Sequence, residues 1–472
     1  MANDIEHWST AFLDPSWTHQ VQTLDDFFGL MMRTRFVRRQ IVERVLKGIP
    51  IRSHFAVSLK NAMDSLQHSC ERNTTIINLN LGPMADFQCN HLSVKFDIRI
   101  ELEEFEKDLS FLKFIESDNV YNVEQFVDTL QTYHPVSPQV FKEEVAAAVE
   151  LLYEADHFHY FFTDRDGTLK TYSCSYRASI QPAYSGVIQA ILSIFFEFFS
   201  LSFYFLGAFI CIYFFIVAQF ARRCAQICAI ITTAPLMHLG ILDVSTIPEG
   251  FYYFGASGGR EWFIDPEKKF KDTALSEKQL TMLDKVYKEI VKLLEHPDYK
   301  IFAWVGSGLQ KHYGHITIAH QDVYRSIPEK RSADLLVFFN IIILFITNFF
   351  SIVLRHQVAT SDTTFNKGHG IALLVDNIHC KLSEGNILVC GDSETDLPML
   401  EVCLGRNPRN IYTIWVTSNE ELQTKVKNLC KKYGNSNVAF VSTPEVLLGA
   451  MAQATIREIS IAARARQNIS TS

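Results

Sequence analysis

The chain has 472 residues, 48% of them hydrophobic and 20% charged, with a formal net charge of −8. That balance excludes a disordered tail or a collagen-like fibre, and at about 100–200 residues per domain the length leaves room for several domains. Forty-four basic residues against 52 acidic ones, with no long basic block, give nucleic acid no electrostatic footprint.

The ten cysteines include no CxxC pair and no tight Cys/His spacing, so they read as reduced core thiols. The opening MANDIEHWSTAFLDPSW lacks the charged start and apolar stretch of a secretory signal, and a cytoplasmic protein is expected. Residues 1 to about 150 read as mainly helical: Leu24, Phe27, Phe28, Met31, Phe36, Ile41, Val45 and Leu46 recur at helical spacing, and Val145, Val149, Leu151 and Leu152 end a second such pattern. SVKFDIRI alternates like a strand, within the stretch Thr75 to Ile100, whose pattern is otherwise ambiguous. HFHYFFT is a short aromatic run ending in a polar turn, which suits a buried central strand and opens a second domain.

Two apolar runs follow, 187–218 and 335–354, each long enough for a membrane span of about 20 residues. Together they hold 14 of the 37 Phe. QFARRCAQICAI reads as an amphipathic helix leading into the strand AIITTAP. Next come turn-rich aromatic pieces from Phe251, a helix from Ser276 to His296 and the strand HITIAH. The last part alternates: a helix around Ile371 to Asp376, the strand NILVCGD, the helix TDLPMLEVC, the strand NIYTIWVT, a Lys-rich helix ending near Tyr433, and NVAFVS. Strands alternating with helices argue for a parallel sheet covered on both faces.

The sharpest chemical signal is Asp164-Arg165-Asp166-Gly167-Thr168, directly after HYFFT. Two carboxylates at i and i+2 beyond a strand's carboxyl end can both face the crevice where open α/β sheets bind ligands, a geometry suited to metal and phosphate. A calcium loop would need a further acid and a closing Glu, and TLKTYSCS supplies neither. An ordinary polar turn remains the plain alternative.

Together with Thr232-Thr233-Ala234-Pro235, Asn366-Lys367-Gly368 and Gly391-Asp392-Ser393-Glu394-Thr395-Asp396, this turn completes an ordered set that resembles the four motifs of haloacid-dehalogenase (HAD) superfamily phosphatases. Ser257-Gly258-Gly259-Arg260-Glu261-Trp262, Val305 to Lys311, Gln321-Asp322-Val323 and Gln181 to Ser185 narrow the resemblance to nematode-type trehalose-6-phosphate phosphatases. The resemblance implies an α/β fold: a HAD-like Rossmannoid core with a parallel sheet, an α+β cap inserted between the second and third motifs, and a helical N-terminal domain. The implied division is 1–150 helical, 155–248 first core part with the apolar insertion 187–218, 249–334 cap, 335–354 second insertion, and 355–472 second core part.

It further implies Mg²⁺-dependent hydrolysis of trehalose 6-phosphate through an aspartyl-phosphate. Asp164 is the expected nucleophile, Asp166 the general acid and base, and Lys367 and Thr233 the groups that hold the phosphoryl oxygens. Asp164, the carbonyl of Asp166, Asp392 and Asp396 are the expected metal ligands, and Arg260, Glu261, Gln310 and Lys311 the sugar contacts. The family resemblance offers no counterpart to either Phe-rich run. The partner expected is a small sugar phosphate, with another HAD sugar-phosphate phosphatase, or a membrane-anchored or inactive relic, as alternatives. Two membrane spans would put Asp164 and Asp392 on one side of a bilayer and Thr233 with the cap on the other. Insertions or surface excursions are therefore expected, and membrane only if the runs are real spans.

Overall fold

The computed structural model describes residues 21–47, 49–80, 93–116, 123–155, 158–173, 175–193, 225–296, 298–321, 327–347, 353–354, 357–359 and 365–455. The first elements are α1 (Leu24–Leu46), α2 (His54–Ser69), a hairpin of β1 (Ile76–Asn80) and β2 (Ser93–Asp97), α3 (Arg99–Glu116), α4 (Val123–Leu130) and α5 (Pro138–Glu154). Local chemistry starts α1: Thr23 Oγ1 accepts from Asp26 N at 3.1 Å while Asp26 Oδ2 accepts from Thr23 N at 3.0 Å, a reciprocal cap of two orphan donors. The alternation in SVKFDIRI covers β2 only, since its last residues enter α3.

β3 (Phe158–Thr163), α6 (Ala183–Ser193), β4 (Ala225–Ile231), β5 (Tyr253–Ala256), β6 (Glu261–Phe263) and β7 (Lys269–Lys271) follow. Then come α7 (Glu277–Glu295), β8 (Leu309–His312), β9 (His315–Ala319), α8 (Glu329–Thr347), β10 (Val353–Leu354) and β11 (Gln357–Ala359). The chain continues through α9 (Lys367–Asn377), β12 (Asn386–Gly391), α10 (Leu397–Arg406), β13 (Ile411–Val416), α11 (Glu420–Lys432), β14 (Val438–Val441) and a helix over 444–455, α12.

An eight-stranded sheet of order β14-β13-β12-β3-β4-β5-β6-β7 forms the core, parallel from β14 through β5 and antiparallel in the β5-β6-β7 meander. Both faces are covered, which is why HYFFT shows no polar alternation. Tyr160 and Phe162 pack with α9, α10 and α11, and Phe161 packs on the opposite face with α6 and the N-terminal helices. A second sheet, β10-β11-β9-β8, is antiparallel and carries α7, on which α8 packs.

Several expectations shift. β4 begins at Ala225, so the second half of QFARRCAQICAI is strand rather than helix, because it is a parallel neighbour of β3 buried on both sides. β5, β6 and β7 fall inside the stretch 249–334 expected as cap, yet they extend the core sheet, and the second sheet starts only at Leu309. Residues 187–193 of the first apolar run belong to α6, where Val187 and Ile188 are buried and Tyr252 donates to the Gln189 carbonyl at 3.1 Å. They pack into the core; the rest of that run lies outside the described residues. In the second run, Leu335 and Phe339 on α8 are fully buried. Among the described residues no helix is long and apolar enough to cross a membrane.

Candidate active site

β3 and β12 are adjacent parallel strands, with Thr163 opposite Cys390 and Asp164 N donating to Cys390 O at 3.2 Å. The residues just beyond both strands, Asp164 and Asp392, therefore emerge side by side at the sheet's carboxyl end. Lys367 reaches them from the first turn of α9. Asn366 caps that helix, its Oδ1 accepting from Gly368 N at 3.0 Å and His369 N at 3.1 Å, so the lysine leaves the helix in a fixed direction.

Lys367 Nζ donates to Asp164 Oδ1 at 2.7 Å and to Asp396 Oδ1 at 2.6 Å, and all three side chains are almost completely buried. Asp396 Oδ2 in turn accepts from the backbone N–H groups of Asp392 and Ser393, each at 3.1 Å, which folds the acidic turn after β12 back on itself. Thr168 Oγ1 donates to Asp392 Oδ1 and Tyr172 OH to its Oδ2, both at 3.1 Å. Gly167, at φ +89°, closes the site's floor: a Cβ there would stand 2.1 Å from Asp392 Oδ2.

Burial pushes the Asp164 carboxyl well above the usual carboxylate range, against the pull of Lys367, and Asp396 and Asp392 raise it further. Asp392 is pushed up to about 6 by burial and by Asp396. Lys367 loses from burial but gains more from Asp164 and Asp396, so it stays charged. Asp164, Asp392 and Asp396 each offer an oxygen, all within 4.8 Å of one another. Crowded carboxylates that one lysine leaves under-neutralised, with oxygen donors alone, fit a hard divalent cation.

Asp166 stands apart from that triad. Its Oδ1 accepts from Arg165 Nη1 at 2.5 Å and from Ser179 Oγ at 3.1 Å. Thr232 is buried, its hydroxyl accepting from Ala234 N at 3.2 Å, while Thr233 beside it is exposed. Arg260 and Glu261 sit at the β5–β6 turn of the core sheet. Arg260 lies 3.7 Å from Asp272 Oδ2 and 4.4 Å from the Phe365 ring centroid. Glu261 Oε1 accepts from Ser257 Oγ at 3.0 Å. That turn abuts α9, since a Cβ on Gly259 would stand 2.6 Å from Gly370 Cα.

Gln310 and Lys311 are on β8 in the second sheet. Gln310 is buried and donates to Leu239 O at 3.4 Å, and Lys311 pairs with Asp284 of α7 at 2.5 Å on an exposed face. Tyr313 N donates to Ser257 Oγ at 2.9 Å and Tyr313 OH to Asp272 O at 3.1 Å, which seats the β8–β9 hairpin on the β5–β7 meander. The geometry thus gathers Asp164, Lys367, Asp392 and Asp396 tightly, and places the four expected sugar contacts on two different sheets. Sequence reasoning missed Tyr172 and Ser179, which carry no motif; Arg165 was visible between two acids but given no part.

A family model described as trehalose-6-phosphate phosphatase, C-terminal, matches residues 161–196 and 211–447. A second, the trehalose-6-phosphate phosphatase N-terminal helical bundle domain, matches 23–130. Alpha,alpha-trehalose-phosphate synthase (UDP-forming) 2 of Caenorhabditis elegans is 56% identical over 478 residues, covering 98% of this chain and 36% of that protein. The chain thus spans about a third of the length of such relatives. A trehalose-phosphatase of Caenorhabditis elegans is 26% identical over 460 residues, 92% of this chain and 95% of its own. The C-terminal domain of Candida albicans trehalose-6-phosphate phosphatase overlaps 66% of this chain and 96% of its own, at TM-score 0.39 and 13% identity.

Proposed function

The chain belongs to the trehalose-6-phosphate phosphatase family, and from that premise we propose that it hydrolyses trehalose 6-phosphate to trehalose and phosphate with Mg²⁺ at the Asp164–Asp392–Asp396 cluster. The observation that carries this reading is Lys367 held between Asp164 and Asp396 in a buried acidic site. In this reading an Asp164 oxygen attacks phosphorus, the ester P–O bond breaks, and an aspartyl-phosphate forms. Asp166 gives its proton to the departing sugar oxygen and later takes one from the water that attacks the phosphorus and releases phosphate. Lys367 and Thr233 hold the phosphoryl oxygens, and Asp396, besides its place in the metal cluster, holds Lys367 and the acidic turn. Mg²⁺, when bound by Asp164, Asp392, Asp396 and the Asp166 carbonyl, supplies the charge that keeps Asp164 ionised and screens the two approaching anions.

Arg260, Glu261, Gln310 and Lys311 are the sugar contacts of this proposal, which requires the two sheets to close over the ester. Asp164→Asn tests it: phosphate release from trehalose 6-phosphate with Mg²⁺ should vanish, and the intact chain should prefer that ester over glucose 6-phosphate and sucrose 6-phosphate. The relatives named as synthases favour one second reading, a domain that has kept the motifs without turnover in a longer protein. In that case the unaltered chain releases no phosphate from any of the three esters.

A further inference from the structure

The segment between the first acidic turn and α6 touches three parts of the molecule within five residues. It contains a 3-10 turn, Tyr176–Ala178, flanked by Ser175 and Ser179. At one end, Ser179 Oγ donates to Asp166 Oδ1 at 3.1 Å, and the Ser179 carbonyl accepts from Arg165 Nη2. Arg165 also reaches Asp166 Oδ1, so Ser179 and Arg165 together set the direction of that carboxylate.

In the middle, the Arg177 guanidinium lies 4.2 Å from the Trp304 ring centroid and 5.5 Å from that of Phe28. The two rings stack on each other at 5.1 Å with an interplanar angle of 18°. Next to it, Tyr176 N donates to Gly306 O at 3.4 Å. Trp304 and Gly306 lead directly into β8 of the second sheet, and Phe28 belongs to α1. A guanidinium laid against a stacked aromatic pair in a half-buried position is a directional contact.

We propose that this turn couples the position of the second sheet to the direction of Asp166, with Arg177 as a positioning residue and Phe28 of α1 as the fixed stop. A movement that carries Trp304 and Gly306 away from the core drags Arg177 and Tyr176 with it. Ser179 ends the same turn and moves too, so the Asp166 carboxyl loses its anchor. The N-terminal helical domain takes part because Phe28 backs the same stack. The inference rests on the phosphatase reading and specifies what aims its general acid.

The experiment compares aryl phosphates of graded leaving group on the full chain with Mg²⁺, since these esters make no sugar contacts. In Arg177→Ala and Trp304→Leu, the single-turnover rate of phenol release, which precedes the water step in which Asp166 acts as base, should for p-nitrophenyl phosphate, whose leaving group departs without a proton, stay within about twofold of the unaltered chain. For phenyl phosphate it should fall about tenfold or more, part of the roughly 10²–10⁴-fold that a positioned acid supplies. Ser179→Ala, which leaves the aromatic stack untouched and is the smallest change, should show the same split. An equal fall for both esters, or no fall for either, overturns the coupling. If the unaltered chain hydrolyses neither ester, the phosphatase reading itself has failed and this inference falls with it.

Discussion

Replacing Lys107 by Met probes how the helical domain is welded to the core. The Lys107 ammonium stands 2.7 Å from Glu445 Oε1 on α12 and 3.3 Å from Glu104 Oε1 on α3, with Lys107 and Glu104 each 3% exposed and Glu445 10%. Tyr184 OH donates to Glu104 Oε2 at 3.3 Å and Thr171 Oγ1 to Glu445 Oε1 at 3.4 Å, so the same cluster reaches α6 and the loop behind Asp164. Methionine fills the space but leaves two carboxylates facing each other without water, and breaking such a buried pair costs about 3–5 kcal/mol.

The pH dependence has a definite sign. Burial acts to raise the Glu445 carboxyl, but Lys107 more than offsets it and holds the group below its ordinary 4.5. In the unaltered chain its contribution is therefore present above about 4.5 and lost as pH falls through the lower folded value. Without Lys107 the burial effect loses its largest counterweight, the folded value rises, and stability declines as pH rises. The deficit of Lys107→Met should thus be largest near neutral pH and narrow toward acid. Urea unfolding followed by tryptophan fluorescence at about pH 7 and about pH 5 measures both. A deficit below about 1 kcal/mol at neutral pH, the size of an exposed pair, or one that grows on acidification, would refute the reasoning.

Gly167→Ala forces a Cβ to within 2.1 Å of Asp392 Oδ2 at φ +89°, so Mg²⁺ affinity by calorimetry should weaken about tenfold or more. Lys367→Met leaves Asp164 and Asp396 facing each other. The metal-free protein should lose about 3 kcal/mol or more, part of which added Mg²⁺ restores, and thermal unfolding with and without the cation reads both. His312 and His315 stack at 4.1 Å where the β8–β9 hairpin meets the core. Burial and the charge of Arg260 push His315 down to about 4, and burial pushes His312 down as well. Each is held neutral, so stability should fall as pH drops below about 6.5, by up to about 1.4 kcal/mol per pH unit per histidine. His315→Gln should flatten that slope; an unchanged slope would show that the histidine is not responsible.

How much of this was legible in the chain depends on how locally each feature is determined. Asp164 and Asp166 stand out because a strand of two-sided apolar residues must end in something polar, and the pair follows it directly. The start of α7 at Ser276 is equally local, set by that residue's cap. The place of Arg260 and Glu261 was not legible, because β5 to β7 are short strands whose sheet is decided by Trp262 packing over Gly255, a contact across the hairpin. β4 was half read as a helix because both its faces are buried and its small residues carry no period. Tyr172 and Ser179 reach Asp392 and Asp166 through turns whose path only the tertiary fold sets.

β3 sits in the middle of the sheet, with β12 on one side and β4 on the other. During synthesis β4 emerges soon after it, but β12 is made more than 200 residues later. Until then the growing chain carries an apolar strand with one ladder unpaired, the kind of edge that invites association with other chains. Protein quality, and the yield of any recombinant preparation, should therefore be decided on the ribosome, by how well that open edge is shielded before residue 386 arrives.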